Sequence, residues 1–260
     1  RWGTLAEKEA RRYGKTEVLA DGKEFEYRRI PDYDISMLDQ NTSYVHLTSN
    51  NTLYGTRWHK FPYTNDIPLV ADSTSDILSR EMDYSLFGVV YAGLQKNLGI
   101  PGTALVVVRE DLLGNALPET PKLLDYSLID ESQSILNTIN VFAVYVARLV
   151  LEWVKEQGGI PEMEKLAEQK SGLLYQILDD SDFYIAVAHP DHRSTMNVTF
   201  HFGQEKLLHK FLSESEKEGL FALKGHASVG GVRASIYNAM PLNGVKQLAD
   251  FMKEFERKNG

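Results

Sequence analysis

The sequence predicts an α/β chain, with a mostly parallel sheet first and a smaller α+β unit after it. Short apolar runs of strand length alternate with loops and helical segments in the first part, at 43–47, 68–71, 87–91 and 104–108. After residue 158 helices and strands follow in an order typical of an antiparallel sheet covered by helices. With 260 residues, 43% of them apolar and 25% charged, the chain can bury a sizeable core.

In the first unit, the hydrophobic pattern and the helix-breaking residues predict where helices and strands begin and end. Residues 4–13 have a helical pattern that ends at Gly14, and we expect a short strand at 16–20. The four apolar runs come next, and their composition predicts strands covered on both faces of the sheet. A long helix over 137–157 then ends at Gly158.

In the second unit, Pro161 marks the first turn of a helix that runs to about residue 179. The elements predicted after it are strands at 183–187 and 196–202, a helix at 204–218, short strands near 220–223 and 232–236, and a helix at 242–257. We therefore expect two domains, residues 1–158 and residues 159–260.

Charge and composition exclude several classes of function. The chain has 28 basic and 36 acidic residues and a net charge of -8, so it has no global attraction for nucleic acid or an anionic membrane. Its most apolar helical stretch, 141–154, contains Arg148 and Glu152 and is too short to span a bilayer. Cysteine is absent, which excludes disulfides, a thiol nucleophile and Cys-based zinc sites. This agrees with a reducing, cytoplasmic location, and no metal site is expected.

Two candidate catalytic residues each follow a predicted buried strand. A partly desolvated lysine has a lowered pKa and can act as an amine nucleophile, although Lys96 alone could be an ordinary loop lysine. Asp72 lies where α/β sheets place ligands, and it could pair with a ring nitrogen or cap a helix, as Ser73 and Asp76 are expected to do. A lysine for the aldehyde and a carboxylate for the pyridine nitrogen are what pyridoxal 5'-phosphate requires.

Five segments extend this pattern over most of the chain: 45–56, 70–80, 91–97, 223–231 and 233–240. They contain VHLTSNNTLYGT, VAD with SDILSR, YAG with QKN, LKGH with SVGG, and RASIYNAM. Together they resemble the phosphoserine aminotransferase family, in order from residue 2 to about residue 257. This resemblance implies a fold-type I pyridoxal-phosphate enzyme, and a homodimer with active sites at the subunit interface.

The resemblance also implies roles for particular residues. Lys96 would hold the cofactor's aldehyde carbon, and Asp72 would pair with its pyridine nitrogen. The other implied cofactor contacts are stacking by Trp2, a hydrogen bond to the ring hydroxyl region from Thr52, and phosphate contacts from Gln95 and, in the partner subunit, from Asn137 and Thr138. The substrate would be bound at its α-carboxylate by Arg233, and His226 would lie near its phosphate or distal carboxylate.

Simpler structural roles exist for several of these side chains. Trp2 could be frayed at the terminus, Thr52 could be a turn hydroxyl, and Arg233 could be a surface ion-pair partner. Asn137 and Thr138 could instead cap the helix that follows them.

The activity implied is a phosphoserine transaminase of serine biosynthesis. It would transfer the amino group of L-glutamate to 3-phosphohydroxypyruvate, giving O-phospho-L-serine and 2-oxoglutarate. Two departures from the family pattern leave alternatives. Ala227 replaces an arginine that helps bind the substrate phosphate, which allows a non-phosphorylated keto acid as substrate. The chain also begins at Arg1 without the family's N-terminal portion, so it could be an N-terminally incomplete, catalytically incompetent fragment that only folds and dimerises.

Overall fold

The computed structural model describes residues 1–39 and 41–260. Its α-helices are α1 (Trp2–Ala10), α2 (Tyr126–Glu131), α3 (Val141–Glu156), α4 (Ile160–Asp179), α5 (Glu205–Lys217) and α6 (Leu242–Asn259). Its strands are β1 (Val45–Thr48), β2 (Asn50–Asn51), β3 (Thr56–Arg57), β4 (Leu69–Asp72), β5 (Val89–Gly93), β6 (Ala104–Val108), β7 (Tyr184–Ala186), β8 (Asn197–Phe202) and β9 (Val232–Ser235). Short 3-10 helices lie at Gly22–Phe25, Ile35–Met37, Tyr84–Leu86, Glu110–Leu112, Lys122–Leu124 and Pro190–His192.

The first sheet has the strand order β1-β4-β5-β6. Strands β1, β4 and β5 are parallel, and β6 is antiparallel to β5, which confirms the prediction of a mostly parallel sheet. In the register of these strands Thr48 lies beside Asp72, and Asp72 lies beside Tyr91. The carboxyl ends of the three parallel strands therefore meet at one edge of the sheet.

Only one face of this sheet is well covered among the described residues. Leu69 and Ala71 on β4, and Val90 on β5, are at most 1% exposed and form the core of the first unit. Because successive side chains of a strand point to opposite faces, Asp72 and Tyr91 lie on the other, half-buried face. This second face is therefore less completely covered than the first within the described residues.

The second unit is an antiparallel sheet of order β7-β8-β9, packed against α4, α5 and α6, as predicted. Its core is rich in aromatic rings: Phe200, Phe211 and Phe255 are at most 1% exposed. This core uses residues 174–255, whereas the core of the first unit uses residues 47–98. The division of the chain at residue 158 stays a prediction that these separate cores support.

Two predicted strands do not form. Residues 16–20 have no strand neighbour, and Val18 is 54% exposed, so an apolar pattern alone did not supply a pairing partner. At 220–223, the left-handed backbone of Ala222 (φ 60°) interrupts the strand, and only Lys224 pairs with β9, opposite Val232. No helix in the described residues is long and apolar enough to cross a membrane.

Gly225, which precedes His226, approaches the backbone of the next turn very closely. A Cβ atom on Gly225 would lie 1.8 Å from the carbonyl oxygen of Gly230. We expect Gly225→Ala to lower the free energy of unfolding by about 1–3 kcal/mol, the usual effect of overpacking. In contrast, Gly172 in α4 has no atom within 4 Å of the corresponding position. Gly172→Ala should raise the free energy by about 0.5–1 kcal/mol, because glycine disfavours helix. Urea unfolding measures both, and equal effects would contradict this account.

Candidate active site

Asp72 occupies the carboxyl end of β4 and is partly buried. Its Oδ1 accepts a hydrogen bond of 3.0 Å from the Thr74 amide, which fixes the side chain at the start of the following turn. The residues after Asp72 form turns and no helix. Asp72 therefore caps no helix, and its hydrogen bond with Thr74 belongs to a turn. No other hydrogen bond to the carboxylate occurs in the described residues, so Asp72 keeps acceptor capacity at the sheet edge.

Asp76 and Ser73 differ from the caps that the sequence suggested. Asp76 is fully buried, pairs with Arg80 at 3.2 Å and accepts a hydrogen bond from Ser49. Burial raises the pKa of the Asp76 carboxyl, and the charge of Arg80 opposes that rise. Ser73 is also buried, and its hydroxyl has no partner in the described structure. Asp76 therefore anchors the turn internally, and Asp72 is the carboxylate left facing the sheet edge.

Lys96 lies in the turn that follows β5, and it is half-buried. Desolvation lowers the pKa of its amine, Asp72 acts in the opposite direction, and Arg233 adds to the lowering. The charges of Asp72 and Arg233 therefore both reach Lys96, although Arg233 comes from β9 of the second unit. The geometry agrees: Asp72 and Lys96 follow the adjacent strands β4 and β5, and the turn after β9 contacts Asn97, which neighbours Lys96, through the Asn238 backbone amide. The structure therefore brings these three sequence-predicted residues to one region.

Two site residues were missed by the sequence reasoning. The ring of His46 on β1 lies 2.9 Å from the hydroxyl of Tyr91 on β5, and the two rings stack with centroids 6.0 Å apart. Burial lowers the pKa of His46 and raises that of Tyr91, and the charge of Asp72 raises both. The pair is visible only in the strand register, in which Tyr91 is the partner of Asp72 and His46 lies two residues before Thr48 on the same face.

Thr52 and Gln95 lie in turns next to the strands that carry the site. Thr52 is 5% exposed and belongs to the tight turn between β2 and β3. Gln95 is exposed, and its amide lies over Gly93, where a Cβ atom would be only 2.4 Å from Gln95 Oε1. The absence of a side chain at position 93 is therefore what allows Gln95 to fold over the strand end.

At the N-terminus, Trp2 and His226 come together through Arg1. Trp2 begins α1, which packs beside β1, so the expectation of a frayed terminus does not describe it. The Arg1 guanidinium lies 5.4 Å from the Trp2 ring centroid, and its Nη1 donates to His226 Nε2 at 2.8 Å. Arg1 was not identified from the sequence, because its partner is 225 positions away.

Asn137 and Thr138 lie on the exposed loop between α2 and α3. Neither caps α3, since its N-cap is Asn140, whose side chain accepts from the Ala143 amide. The alternative role as helix caps is therefore wrong. A contact with the cofactor of a partner subunit stays a prediction, and their exposure agrees with it.

The chemistry of this edge fits pyridoxal 5'-phosphate. The cofactor needs a desolvated amine, a carboxylate with free acceptor capacity, and hydroxyl or amide donors. Lys96 and Asp72 supply the first two. At the same strand ends the buried hydroxyls of Thr48 and Ser73 have no partner among residues 1–39 and 41–260, as expected for groups that complete their hydrogen bonding with a ligand or water.

Comparison with known proteins agrees with this geometry. The family model described as aminotransferase class-V matches residues 7–248. The phosphoserine aminotransferase of Geobacillus kaustophilus is 48% identical over 258 residues, which cover 99% of this chain and 71% of that protein. That of Pseudomonas aeruginosa is 47% identical, covering 100% and 72%. The solved phosphoserine aminotransferase from Bacillus circulans subsp. alkalophilus superimposes with a TM-score of 0.96 at 41% identity, covering 100% of this chain and 72% of that one.

At 41–48% sequence identity over almost the whole chain, the similarity to these proteins is more than a shared fold. The chain spans a little under three quarters of the length of these relatives. Over that span the sheet order and the strand-end lysine and aspartate agree with a fold-type I enzyme. The chain belongs to the phosphoserine aminotransferase family of the class-V aminotransferases.

Proposed function

We propose that this chain catalyses the transfer of the amino group of L-glutamate to 3-phosphohydroxypyruvate, which gives O-phospho-L-serine and 2-oxoglutarate. The observation that carries the proposal is that Asp72 and Lys96 follow adjacent parallel strands, and that β9, which carries Arg233, is followed by a turn that contacts Asn97 beside Lys96. An amine, a carboxylate and a guanidinium in that arrangement supply a base, a partner for a ring nitrogen and an anchor for a substrate carboxylate.

Pyridoxal 5'-phosphate, when bound, carries the amino group between the two half-reactions and withdraws electrons from the substrate's α-carbon. Lys96 Nζ would hold the cofactor at its aldehyde carbon at rest and, once the substrate's amine has replaced it there, would move the proton at the substrate's α-carbon. The Asp72 carboxylate holds the proton on the cofactor's ring nitrogen. Because only one substrate is bound in each half-reaction, we expect ping-pong kinetics.

Other side chains hold the cofactor in this proposal. Trp2 stacks on the pyridine ring, and Thr52 donates to its hydroxyl region. Gln95 donates to the phosphate from the turn beside Lys96, where Gly93 gives it room. Asn137 and Thr138 of a partner subunit complete the phosphate site, which their exposed position supports.

Two groups of residues bind the substrate. Arg233 on β9 takes the α-carboxylate, since a guanidinium can donate two parallel hydrogen bonds. His226 receives the phosphate, and Arg1 beside it supplies a guanidinium where Ala227 supplies none. This placement of Arg1 supports a phosphorylated substrate in spite of Ala227.

The surface of α3 supports a homodimer. Several large apolar side chains of this helix are more than 40% exposed: Val141, Phe142, Val144, Tyr145, Leu149 and Leu151. An exposed apolar face of this size is typical of a protein interface. Because Asn137 and Thr138 directly precede α3, pairing through this face would place them near a second subunit.

The choice of substrate tests the proposal. We expect kcat/KM for 3-phosphohydroxypyruvate to exceed that for hydroxypyruvate by about 10- to 100-fold, because hydrogen bonds to a charged phosphate contribute about 1.5–3 kcal/mol. Arg1→Ala should lower the first value and leave the second unchanged. Steady-state assays with L-glutamate as donor measure both. Equal values in the wild-type protein would favour a non-phosphorylated keto acid, and a colourless dimer without turnover would favour the fragment.

A further inference from the structure

Lys170 is a fully buried lysine in the middle of α4, outside the site described above. Its Nζ donates three hydrogen bonds to backbone carbonyls, at 3.0 Å to Ile236, 2.7 Å to Tyr237 and 3.0 Å to Met240. Three donors therefore meet three acceptors, which satisfies the ammonium group completely. The carbonyls belong to one turn, 236–240, between β9 and α6.

This turn reaches across to the unit that carries Lys96. The Asn238 backbone amide donates to Asn97 Oδ1 at 3.1 Å, and the side-chain Nδ2 of Asn238 donates to the Leu78 carbonyl at 2.8 Å. Asn97, next to Lys96, in turn donates to the Ile77 carbonyl at 2.9 Å. Asn97 and Asn238 are each 4% exposed, so these hydrogen bonds are shielded from water. We call these contacts, from Lys170 through Asn238 to Asn97, the asparagine link.

Packing alone does not account for a lysine at position 170. Burying an ammonium group costs several kcal/mol before its hydrogen bonds offset the loss of water. A methionine of similar length would fill the space between α4 and the turn without that penalty. A methionine could not hold the three carbonyl oxygens together, because they converge and repel one another. The positive charge of Lys170 therefore stabilises the conformation of the turn.

We propose that Lys170 is a positioning residue that fixes Arg233 relative to Lys96. Arg233 lies on β9, directly before the turn that Lys170 holds, and Lys96 directly precedes Asn97 at the other end of the asparagine link. Loosening the turn changes the separation between the group that binds the substrate carboxylate and the amine that moves its α-proton. This inference rests on the proposed function for its kinetic consequence and on the structure alone for the link.

Hydrogen–deuterium exchange tests the link without any substrate. In the full chain, Lys170→Met should speed exchange in peptides covering both 236–241 and 94–98, at a temperature well below unfolding. Lys165→Met is the matched control, because Lys165 is an exposed lysine of the same helix and should change neither peptide. Faster exchange confined to 236–241, with 94–98 unchanged, would overturn the proposal. Should Lys170→Met fail to fold, Asn97→Ala removes the side-chain oxygen that accepts from the Asn238 backbone amide, which breaks the link at its other end, and it must give the same two changes.

Kinetics test the positioning. Lys170→Met and Asn97→Ala should each lower kcat/KM for L-glutamate by about 10- to 100-fold, the effect of a misplaced reacting group. The double variant should lose little more than either single one, because both changes break the same link. Normal kcat and KM in a folded variant with a lower melting temperature would show a structural role only and overturn the proposal. If the wild-type chain has no transaminase turnover, the proposed function fails, while the exchange experiment still decides the link.

Discussion

Lys96→Ala is expected to reduce turnover by at least about 10⁴-fold, the upper end of the contribution of general acid–base catalysis. The variant loses both the amine that binds the cofactor and the base that moves the α-proton. Steady-state assays measure the loss. Borohydride should abolish the visible absorbance band of the cofactor-loaded wild-type protein and leave the cofactor covalently attached, and it should do neither in the variant. Lys155→Ala, at an exposed lysine of α3, should keep both properties.

The pH dependence of cofactor capture gives a second test of Lys96. Because burial lowers the pKa of the Lys96 amine, more of it is neutral near pH 8 than for a lysine in solvent. The rate of capture of pyridoxal 5'-phosphate should therefore rise with pH and level off below the ordinary lysine value of about 10.5. A midpoint at or above that value would show that Lys96 is an ordinary loop lysine.

The positions of the main strands along the chain could be predicted from sequence because each buried strand is a short apolar run between breakers. The failures have a common physical cause, which is that a strand needs a neighbour. Residues 16–20 have the pattern and no partner, and at 220–223 one left-handed residue, Ala222, limits pairing to a single bridge. The start of α3 was misplaced because Asn137 and Asn140 are equivalent cap residues in sequence, and only the fold selects Asn140.

The site residues also divide into those that the sequence could predict and those that it could not. Lys96 and Asp72 were predictable because parallel strands bring their carboxyl ends to one edge. The partnership of His46 with Tyr91 required the strand register, and that of Arg1 with His226 required the contact between the first and last parts of the chain. The asparagine link joins residues 141 positions apart, and no local pattern marks Asn97 or Asn238.

Asp72→Asn should separate cofactor attachment from turnover. An asparagine keeps a side-chain oxygen that can accept from the Thr74 amide, so the turn and the fold should persist. It has no negative charge to hold a proton on the cofactor's ring nitrogen. We therefore expect the cofactor to attach to Lys96 and kcat to fall by about 10²- to 10⁴-fold. Near-normal activity would remove Asp72 from this role.

Asp76→Asn is the matched control for Asp72→Asn. Asp76 is four residues after Asp72, and its charge pairs with Arg80 inside the protein. It is fully buried against Arg80, and removing one partner of a buried ion pair costs about 3–5 kcal/mol. This variant should unfold at much lower urea concentration, and the folded fraction should keep most of its turnover. Loss of activity with stability retained at Asp72, and the reverse at Asp76, would assign the catalytic charge to Asp72. The same loss in both variants would mean that Asp72 acts only through the fold.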